Sequence, residues 1–491
     1  MRARINDWFR IVIAQGVQVG GIAFTWWERF GFQRKYKGDL HLRTDGKFAV
    51  TSGTTGDPKR ILYTNRRLRE FKSIFIDMFA RACRVFRIKR TSLYVFSSFK
   101  TDESLTSLLL EEVDLPNYFI TLQAPYRIQR HPAMSALAAE YGGAAVRLWI
   151  LAISNPGVLY STNPSTLSTF FDELNNHWHE SSALIRNWRQ DRKSFNANVR
   201  KIARRLDSIG SNHRLEAIAS SDAPVPISTW APALEAYICW TGGYVKPFLD
   251  RVQKYLPPSR YRLIPMYSMS TETVETLTHF ENGEVYFLPI APGVFYEFLD
   301  AESDQLLVAH ELEPGKTYEM IVSDDYGLRR YHTNDLFLCR RKCNDLPDLV
   351  FVRRRTVAYS FTGEKLTGEQ VSLVFDKLRG QFPHVFANNY LTCIPSHDSH
   401  TIPHYKLVLV GDCKVASSLD VLAARCDELL SEVNCEYHSK RTSGRLGPVT
   451  CLEIGTREFA ERFSAHGSWE SQFKFLPLCP YLMANRTERV S

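Results

Sequence analysis

The chain has 491 residues, of which 44% are hydrophobic and 12% aromatic, and its formal net charge is +8. This composition is typical of a globular protein with large cores and excludes a disordered chain. The length predicts two to four domains, and the mild basic excess favours anionic ligands. The basic residues at positions 200, 201, 204 and 205 have helical spacing. This spacing favours a solvated helix face, so we expect no nucleic-acid partner.

A strand-like segment at residues 47–50 is followed by the sequence TSGTTGDPKRILYT, residues 51–64. Its glycines let the backbone approach a ligand closely, and its amides, hydroxyls and lysine suit an anion such as phosphate. The spacing is not that of a Walker A loop, because Gly53 and Gly56 are three apart and Pro58 precedes Lys59. Taken alone, the segment is either a phosphate cradle or an ordinary Ser/Thr/Gly turn.

The next segments alternate between helical and strand-like patterns. Apolar residues at positions 68, 71, 75, 78, 79, 82 and 86 lie on one stripe and predict an amphipathic helix over residues 66–88. Residues 133–206 alternate helical stretches with short turns, and IPMYSM (264–269) and VYFLPI (285–290) indicate strands. Residues 318–339 have the pattern of a hairpin. This alternation predicts an α/β domain, which we place at residues 1–352.

The pattern changes after residue 351. Thr367 and Gln370 form a capping box, which predicts the start of a helix. Two strand-like segments follow, YLTCI (390–394) and HYKLVLV (404–410), then a helical pattern over residues 418–433 and the strand-like VTCLEI (449–454). This order predicts a small α+β domain at residues 353–491, with a hinge at residues 352–356.

The first 30 residues and the ten cysteines bear on cellular location. Polar residues at positions 10, 15, 18 and 28 interrupt the apolar amino-terminal segment, so that no run reaches the ~20 residues of a membrane span. We expect a helix packed on the main domain and no integral membrane association, with peripheral membrane contact the less favoured alternative. The cysteines form no C-x-x-C pair, which predicts reduced thiols in a cytoplasmic protein.

Several motifs, in a fixed order, carry a resemblance to a known family. WTGG (240–243), YSMSTE (267–272) and GLRRYHTNDL (327–336) follow the TSGTTGDPK segment, as similar motifs do in acyl-adenylate-forming enzymes. FYEFL (295–299), FTGEKLTGEQV (361–371), GRLGPVTCLEIGT (444–456) and SQFKFLP (471–477) are similar to motifs of the auxin- and jasmonate-conjugating acyl acid amido synthetases, the Gretchen Hagen family. The resemblance covers residues 47 to 477.

The resemblance implies a large adenylate-forming domain with mixed sheets and helices, which binds ATP and an acyl acid, and a small mobile C-terminal domain. It also implies ATP and Mg²⁺ as cofactors. The residues that it assigns to the nucleotide are Ser52, Gly53, Thr54, Thr55, Gly56 and Lys59 for the phosphates, Thr241, Gly242, Gly243 and Tyr331 for the nucleoside, Asp335 for the ribose, and Ser270, Thr271 and Arg354 as further contacts.

Three residues would act in the chemistry. Glu272 would hold Mg²⁺, which prefers hard oxygen ligands from one or two carboxylates. Lys474 matches the lysine of the family's Gln-Tyr-Lys motif and would stabilise the transferring phosphoryl group, and Lys365 is the second candidate for this role. The implied reaction adenylates a carboxylic acid and passes the acyl group to an amine, expected to be that of an amino acid.

The chain departs from the family pattern at several positions. Ser268 stands where the family has the tyrosine four residues before its glutamate, and Tyr267 is displaced by one. Asn334 replaces the glycine before Asp335, and Arg353 replaces the glycine of the hinge. Two alternatives stay open: acyl transfer to a thiol of coenzyme A or a carrier protein, and a non-catalytic relative that binds nucleotide or acyl ligand.

Overall fold

The computed structural model describes residues 47–50, 60–97, 99, 105, 108–109, 131–355, 358–362, 364–387, 389–397, 402–411, 419–463 and 476–479. The described residues divide into two compact units, those up to Phe351 in the first and those from Val352 onward in the second. The boundary falls near the end of a strand, Leu346–Arg354.

The first unit contains strands β1 (Lys47–Val50), β2 (Arg60–Tyr63), β3 (Leu93–Val95), β4 (Val158–Tyr160), β5 (Ala236–Trp240), β6 (Arg262–Met266), β7 (Leu277–Glu281), β8 (Glu284–Leu288), β9 (Val294–Asp300), β10 (Leu306–Val308), β11 (Thr317–Asp324) and β12 (Tyr331–Cys343), and most of β13 (Leu346–Arg354). Its helices are α1 (Asn65–Val85), α2 (Pro132–Tyr141), α3 (Gly143–Ser154), α4 (Pro164–Asn176), α5 (Trp178–Gln190), α6 (Ala197–Leu206), α7 (Ser211–Ala219), α8 (Ile227–Trp230) and α9 (Lys246–Tyr255). Short 3₁₀ turns lie at Gly243–Val245 and Ala309–Glu311.

A parallel sheet of β3, β4, β5 and β6, in that order, forms the centre of the first unit. It is buried on both faces, as parallel sheets with crossover helices are. In β5, Tyr237 and Cys239 belong to one core, with residues of α2 to α9, whereas Ala236 and Ile238 belong to a second core with α1 and the antiparallel sheet. The carboxyl ends of the four strands meet at one edge, which is where open α/β sheets bind ligands.

Helix α1 confirms the amphipathic helix predicted over residues 66–88. Its N-cap is Thr64, whose side chain accepts a hydrogen bond from the Arg67 amide at 3.2 Å. Leu68, Phe71 and Met78, from the predicted stripe, are buried. The helix is therefore fixed to the second core along the face that the apolar spacing indicated.

The antiparallel sheet has the order β10, β9, β11, β12 and β13. Strands β11 and β12 pair antiparallel, with Val322 opposite Tyr331, so the hairpin predicted over residues 318–339 is confirmed. Strands β7 and β8 form a separate hairpin. Its two-residue turn is Asn282 and Gly283, with φ of 51° and 79°, the left-handed conformations that favour Asn-Gly in tight hairpins.

The second unit contains β14 (Ala358–Tyr359), β15 (Leu366–Thr367), β16 (Tyr390–Ser396), β17 (His404–Val410) and β18 (Thr450–Ile454), with helices α10 (Gly368–Gln381), α11 (Pro383–Phe386), α12 (Leu419–Val433), α13 (Cys435–Thr442) and α14 (Thr456–Phe463). Strands β16, β17 and β18 form one sheet, antiparallel and then parallel. The capping box of Thr367 and Gln370 is present at the start of α10. The predicted order of helices and strands is confirmed.

Candidate active site

Two of the motifs follow neighbouring strands of the parallel sheet. WTGG contains the last residue of β5, and YSMSTE begins directly after β6. Trp240 and Met266 are paired in register at these two strand ends. The fold therefore brings both motifs to the carboxyl edge of the sheet, although 27 positions separate Trp240 from Tyr267.

The two glycines of WTGG are favoured at their positions for different structural reasons. A Cβ on Gly242 would lie 3.2 Å from Trp240 Nε1 and 3.3 Å from Cβ of Phe351, closer than most real Cβ contacts. Gly243 has a φ of 65°, which side chains disfavour. Both positions therefore favour glycine, and Thr241 lies between Trp240 and these two glycines at the sheet edge.

The residues after β6 form a tight, hydrogen-bonded turn. The Ser270 amide donates to the Thr273 carbonyl at 3.0 Å, and the Thr273 amide donates to Ser270 Oγ at 3.2 Å. At the base of the turn, the Glu275 amide donates to the Ser268 carbonyl at 3.0 Å. These bonds fix the backbone that carries Thr271 and Glu272.

Glu272 is the buried carboxylate of this turn, with 6% of its surface exposed. The hydroxyl of Tyr331 donates to Glu272 Oε1 at 3.3 Å. This bond joins the turn to the first residue of β12, so two motifs from different sheets meet. Glu272 and the neighbouring hydroxyl groups of Ser270 and Thr271 supply hard oxygen donors, a set that suits Mg²⁺.

Asp335 lies in an irregular part of β12. In the pairing of β11 with β12, Glu319 is opposite Leu336 but Ile321 is opposite His332, so Thr333, Asn334 and Asp335 bulge from the ladder opposite Met320. Thr333 closes the bulge, because its hydroxyl donates to the Met320 carbonyl at 2.7 Å and accepts from the Asp335 amide at 3.1 Å. Bulges next to active sites redirect side chains.

Asn334 explains one departure from the family pattern. Its φ is 58°, in the left-handed region that glycine adopts freely and asparagine more readily than other side chains. The replacement of the family's glycine therefore preserves the backbone conformation that the bulge needs before Asp335.

The tyrosine position of the family motif is different in this chain. Ser268 is buried and its hydroxyl donates to Glu275 Oε2. Tyr267 is 2% exposed and belongs to the second core with Met266 and Val274. Neither side chain is placed to stack on a nucleoside, since both are enclosed by protein.

Two residues that were not predicted as site residues donate hydrogen bonds to the backbone of the turn that carries Glu272. The Tyr63 hydroxyl donates to the Thr271 carbonyl at 2.6 Å, and the Arg67 guanidinium donates to the Glu272 carbonyl. Arg67 also pairs with Asp324 Oδ2 at 3.2 Å. Burial raises the pKa of the Asp324 carboxyl, and the charge of Arg67 opposes this rise. The burial of Arg67 had no sequence signal, because it lies in a basic segment, RRLRE, in which the arginines on either side, Arg66 and Arg69, are exposed.

The predicted phosphate loop and one catalytic candidate lie outside the described residues. These are Ser52, Gly53, Thr54, Thr55, Gly56 and Lys59, together with Lys474. The strands that flank the loop in the chain, β1 and β2, pair with Val50 opposite Arg60. The predicted loop thus lies in the chain between these two paired strand ends, and α1 follows β2.

Lys365 and Arg354 belong to the second unit. Lys365 is exposed and has a φ of 46°. The buried carboxylate of Glu364 fixes this turn, since it accepts bonds from the Phe361 amide at 2.7 Å and the Tyr405 hydroxyl at 2.6 Å. Arg354 ends β13, and Arg353, at the family's hinge glycine, pairs with Glu369 at 3.0 Å.

Two family models match most of the first unit. Residues 45–261 match the GH3 family N-terminal domain, and residues 287–354 match the GH3 family central domain. The two matches together cover more than half of the chain. The chain belongs to the GH3 family. This is the Gretchen Hagen family that the motifs predicted, so that prediction is confirmed.

Curated relatives of this GH3 chain are distant. Indole-3-acetic acid-amido synthetase GH3.4 of Arabidopsis thaliana is 24% identical over 213 residues, 40% of this chain and 36% of the relative. Jasmonoyl--L-amino acid synthetase GH3.5 of Oryza sativa subsp. japonica is 28% identical over 172 residues, 33% of this chain and 29% of the relative. The chain thus spans about a third of the length of the curated relatives that it matches.

Solved structures show the fold over a larger part of the chain. The AtGH3.15 acyl acid amido synthetase in complex with 2,4-DB has a TM-score of 0.66 at 17% identity, covering 89% of this chain and 80% of that chain. A second GH3.15 acyl acid amido synthetase structure has a TM-score of 0.64 at 19% identity, covering 92% and 82%. The predicted α/β class, with a large N-terminal domain of mixed sheets and helices and a small C-terminal α+β domain, is confirmed. None of the described helices is long and apolar enough to cross a membrane.

Proposed function

We propose that this GH3 chain is an ATP-dependent acyl acid amido synthetase. The observation that carries the proposal is the hydrogen bond from Tyr331 to Glu272, which joins two motifs of the predicted nucleotide site. The names of the curated relatives, an indole-3-acetic acid-amido synthetase and a jasmonoyl-amino acid synthetase, support an amide product. The substrates are a carboxylic acid and an amine, for which we propose an amino acid.

In the first half-reaction, an oxygen of the substrate carboxylate would attack the α-phosphorus of ATP, and pyrophosphate would leave. Negative charge develops at phosphorus and has to meet fixed donors and cations. Asp335 would accept hydrogen bonds from the ribose hydroxyls, and Thr241 with Tyr331 would line the nucleoside. Glu272 would hold Mg²⁺, which neutralises charge on the ATP phosphates when it is bound.

In the second half-reaction, the amine nitrogen would attack the acyl carbonyl, AMP would leave, and the amine would lose a proton. We propose that the predicted C-terminal domain, residues 353–491, rotates about residues 352–356 between the two steps, a hinge motion of a known type. The rotation would let one catalytic site serve both half-reactions.

We further propose a cytoplasmic location. The nine described cysteines are free thiols, and Cys435 is exposed, a pattern that favours a reducing compartment. The names of the two curated relatives given above, an amido synthetase and an amino acid synthetase, support a free amine rather than a carrier protein as acceptor. We therefore place a free amine first as acceptor, and a thiol becomes an outcome of the test below.

The first test is pyrophosphate exchange by the full chain with Mg²⁺ATP and a panel of carboxylic acids. We expect exchange with one class of acid, and an amide identified by its mass when amino acids are added. A product that forms only with coenzyme A or a loaded carrier protein would assign a thiol acceptor. Folded protein that exchanges no pyrophosphate with any acid of a broad panel would instead favour a non-catalytic relative.

Asp335→Ala tests the nucleotide site directly. We expect ATP binding to weaken by about 10- to 150-fold, because a charge-assisted hydrogen bond typically contributes about 1.5–3 kcal/mol. Binding is measured by calorimetry, and thermal unfolding shows whether the variant is folded. Asp345→Ala, at the exposed turn beyond the end of β12, is the matched control and should bind ATP as the wild type does. Equal affinity of Asp335→Ala and the control would remove Asp335 from the site.

A further inference from the structure

Three side chains of different chemistry meet in the first unit, apart from the residues proposed for catalysis. They are His279 and Glu281 on β7 and Cys343 at the end of β12, and one ligand atom from each lies within 4.8 Å of the others. Cys343 Sγ is 3.0 Å from Glu281 Oε2, and His279 Nε2 is 3.9 Å from the same oxygen. We propose that this imidazole, carboxylate and thiol form a binding site for a divalent ion of the zinc class.

Two short turns fix the positions of the ligands. His279 and Glu281 are alternate residues of one strand and so project from the same face of β7. Glu281 directly precedes the Asn282-Gly283 turn, and Cys343 directly precedes Asn344, whose φ of 52° is also left-handed. Because both turns restrict the backbone next to a ligand, the three groups are held close together before any ion binds.

The distances suit a small tetrahedral ion. Zinc lies about 2.3 Å from thiolate sulfur and about 2.0–2.2 Å from imidazole nitrogen and carboxylate oxygen. Tetrahedral angles then place the ligand atoms about 3.4–3.6 Å apart. The observed separations of 3.0 and 3.9 Å lie on either side of this range. Changes of about 0.5 Å would bring both of these separations into the tetrahedral range.

The charge and solvent exposure around the three side chains also suit a cation. Two basic residues, Arg341 and Lys342, precede Cys343 in β12. Each is engaged elsewhere: Arg341 pairs with Glu284 at 2.7 Å, and Lys342 donates to the His310 carbonyl at 2.8 Å. Cys343 is 3% exposed, whereas the side chain of Glu281 is 43% exposed. An ion can thus enter from solvent on the carboxylate side while the sulfur stays protected.

The donor set selects the ion. A thiolate with an imidazole favours zinc-class ions over Mg²⁺, which prefers oxygen ligands. On binding, the metal–sulfur bond replaces the S–H bond of Cys343, and the proton passes to solvent. Three protein ligands leave a fourth position for water, as in open zinc sites. Affinity should therefore rise with pH, since protons compete with the metal for the thiolate.

The test uses Co²⁺ as a spectroscopic substitute for zinc, with the reduced full chain and excess Mg²⁺. We expect one equivalent of Co²⁺ to give the absorption bands of a tetrahedral thiolate complex, and Zn²⁺ to displace it. Cys343→Ser and His279→Asn should each weaken Co²⁺ binding by at least about 100-fold, beyond the 10- to 100-fold typical for loss of an outer partner. Cys435→Ser removes an exposed thiol of the second unit and should change nothing.

Thermal unfolding gives an independent measurement. Zn²⁺ should raise the melting temperature of the wild type and of Cys435→Ser, because a ligand that binds the folded state stabilises it. Zn²⁺ should leave the melting temperature of Cys343→Ser unchanged. Bands that persist in Cys343→Ser, or bands that the wild type never forms, would overturn the proposal. Pyrophosphate exchange does not enter this test, so its outcome is separate from that of the proposed synthetase activity.

Discussion

Replacing Arg67 with methionine is expected to lower the free energy of unfolding of the first unit by about 3–5 kcal/mol, the usual cost of removing one partner of a buried ion pair. The side chains of Arg67 and Asp324 are 3% and 1% exposed, and their charges lie 3.2 Å apart. Methionine keeps much of the apolar volume of arginine. The loss therefore has two parts: the Asp324 carboxylate is left buried without its cation, and the Glu272 carbonyl loses the hydrogen bond that Arg67 donates to it.

The expected loss depends on pH. Burial raises the pKa of Asp324 in the folded protein, and Arg67 is the largest influence in the opposite direction. Without Arg67 the pKa should rise further, so the folded variant binds a proton that the unfolded chain has already released. The destabilisation should thus be largest near neutral pH and should shrink as the pH falls and Asp324 becomes protonated.

Urea unfolding at two pH values measures this effect. Arg66→Met is the matched control, because Arg66 is the preceding residue of α1 but its side chain is 57% exposed and pairs with Glu70. Exposed pairs contribute about 0–1 kcal/mol, so the control should stay close to the wild type. Adding Asp324→Asn to Arg67→Met should recover part of the loss. Equal stability of Arg66→Met and Arg67→Met would show that the buried pair contributes no more than a surface pair.

Local patterns predicted most of the elements because local spacing determines them. The apolar stripe of α1, the capping box of α10 and the hairpin of β11 with β12 each depend on residues close in sequence. The order of helices and strands in the second unit followed for the same reason. The resemblance added the assignment of motifs to a nucleotide site, which spacing alone does not give.

Long-range polar contacts could not be predicted in the same way. Arg67 meets Glu272 and Asp324 across 205 and 257 positions of sequence, and nothing in the helical stripe distinguishes it from exposed Arg66. The cluster of His279, Glu281 and Cys343 likewise depends on how two hairpins end near each other. The Thr333–Asp335 bulge depends on pairing with β11. Such features follow from tertiary packing, which overrides local preference.

Two lysines, Lys365 and Lys474, are candidates for the catalytic role in adenylation. Lys365 is exposed on a turn that the structure describes, and Glu364 fixes that turn through its bonds to Phe361 and Tyr405. Asn434 adds a bond to the Glu364 carbonyl at 2.9 Å. Lys474 lies outside the described residues, and its assignment depends on the match of Gln472, Phe473 and Lys474 to the family's motif. A direct comparison of the two variants decides between them.

Lys474→Ala is expected to slow acyl-AMP formation by about 10²–10³-fold, the usual effect of removing one preorganised donor to developing charge. The lysine would stabilise charge that appears in the transition state, so ATP affinity should change little. Amide formation from synthetic acyl-AMP should be much less affected, because that step no longer transfers the adenylyl group. Lys365→Ala, in the same assays, should lower the adenylation rate less than Lys474→Ala does.

The adenylation rate is measured by rapid mixing with quenching, and ATP affinity by calorimetry. Lys377→Ala serves as a control for the loss of a lysine, because Lys377 is a partly exposed residue of α10 that pairs with Glu432 at 3.0 Å. This control should retain the wild-type rate. If Lys474→Ala also adenylates its acid at the wild-type rate while Lys365→Ala is slow, the catalytic role passes to Lys365. The positive φ and buried carboxylate next to Lys365 would then serve to hold the catalytic cation.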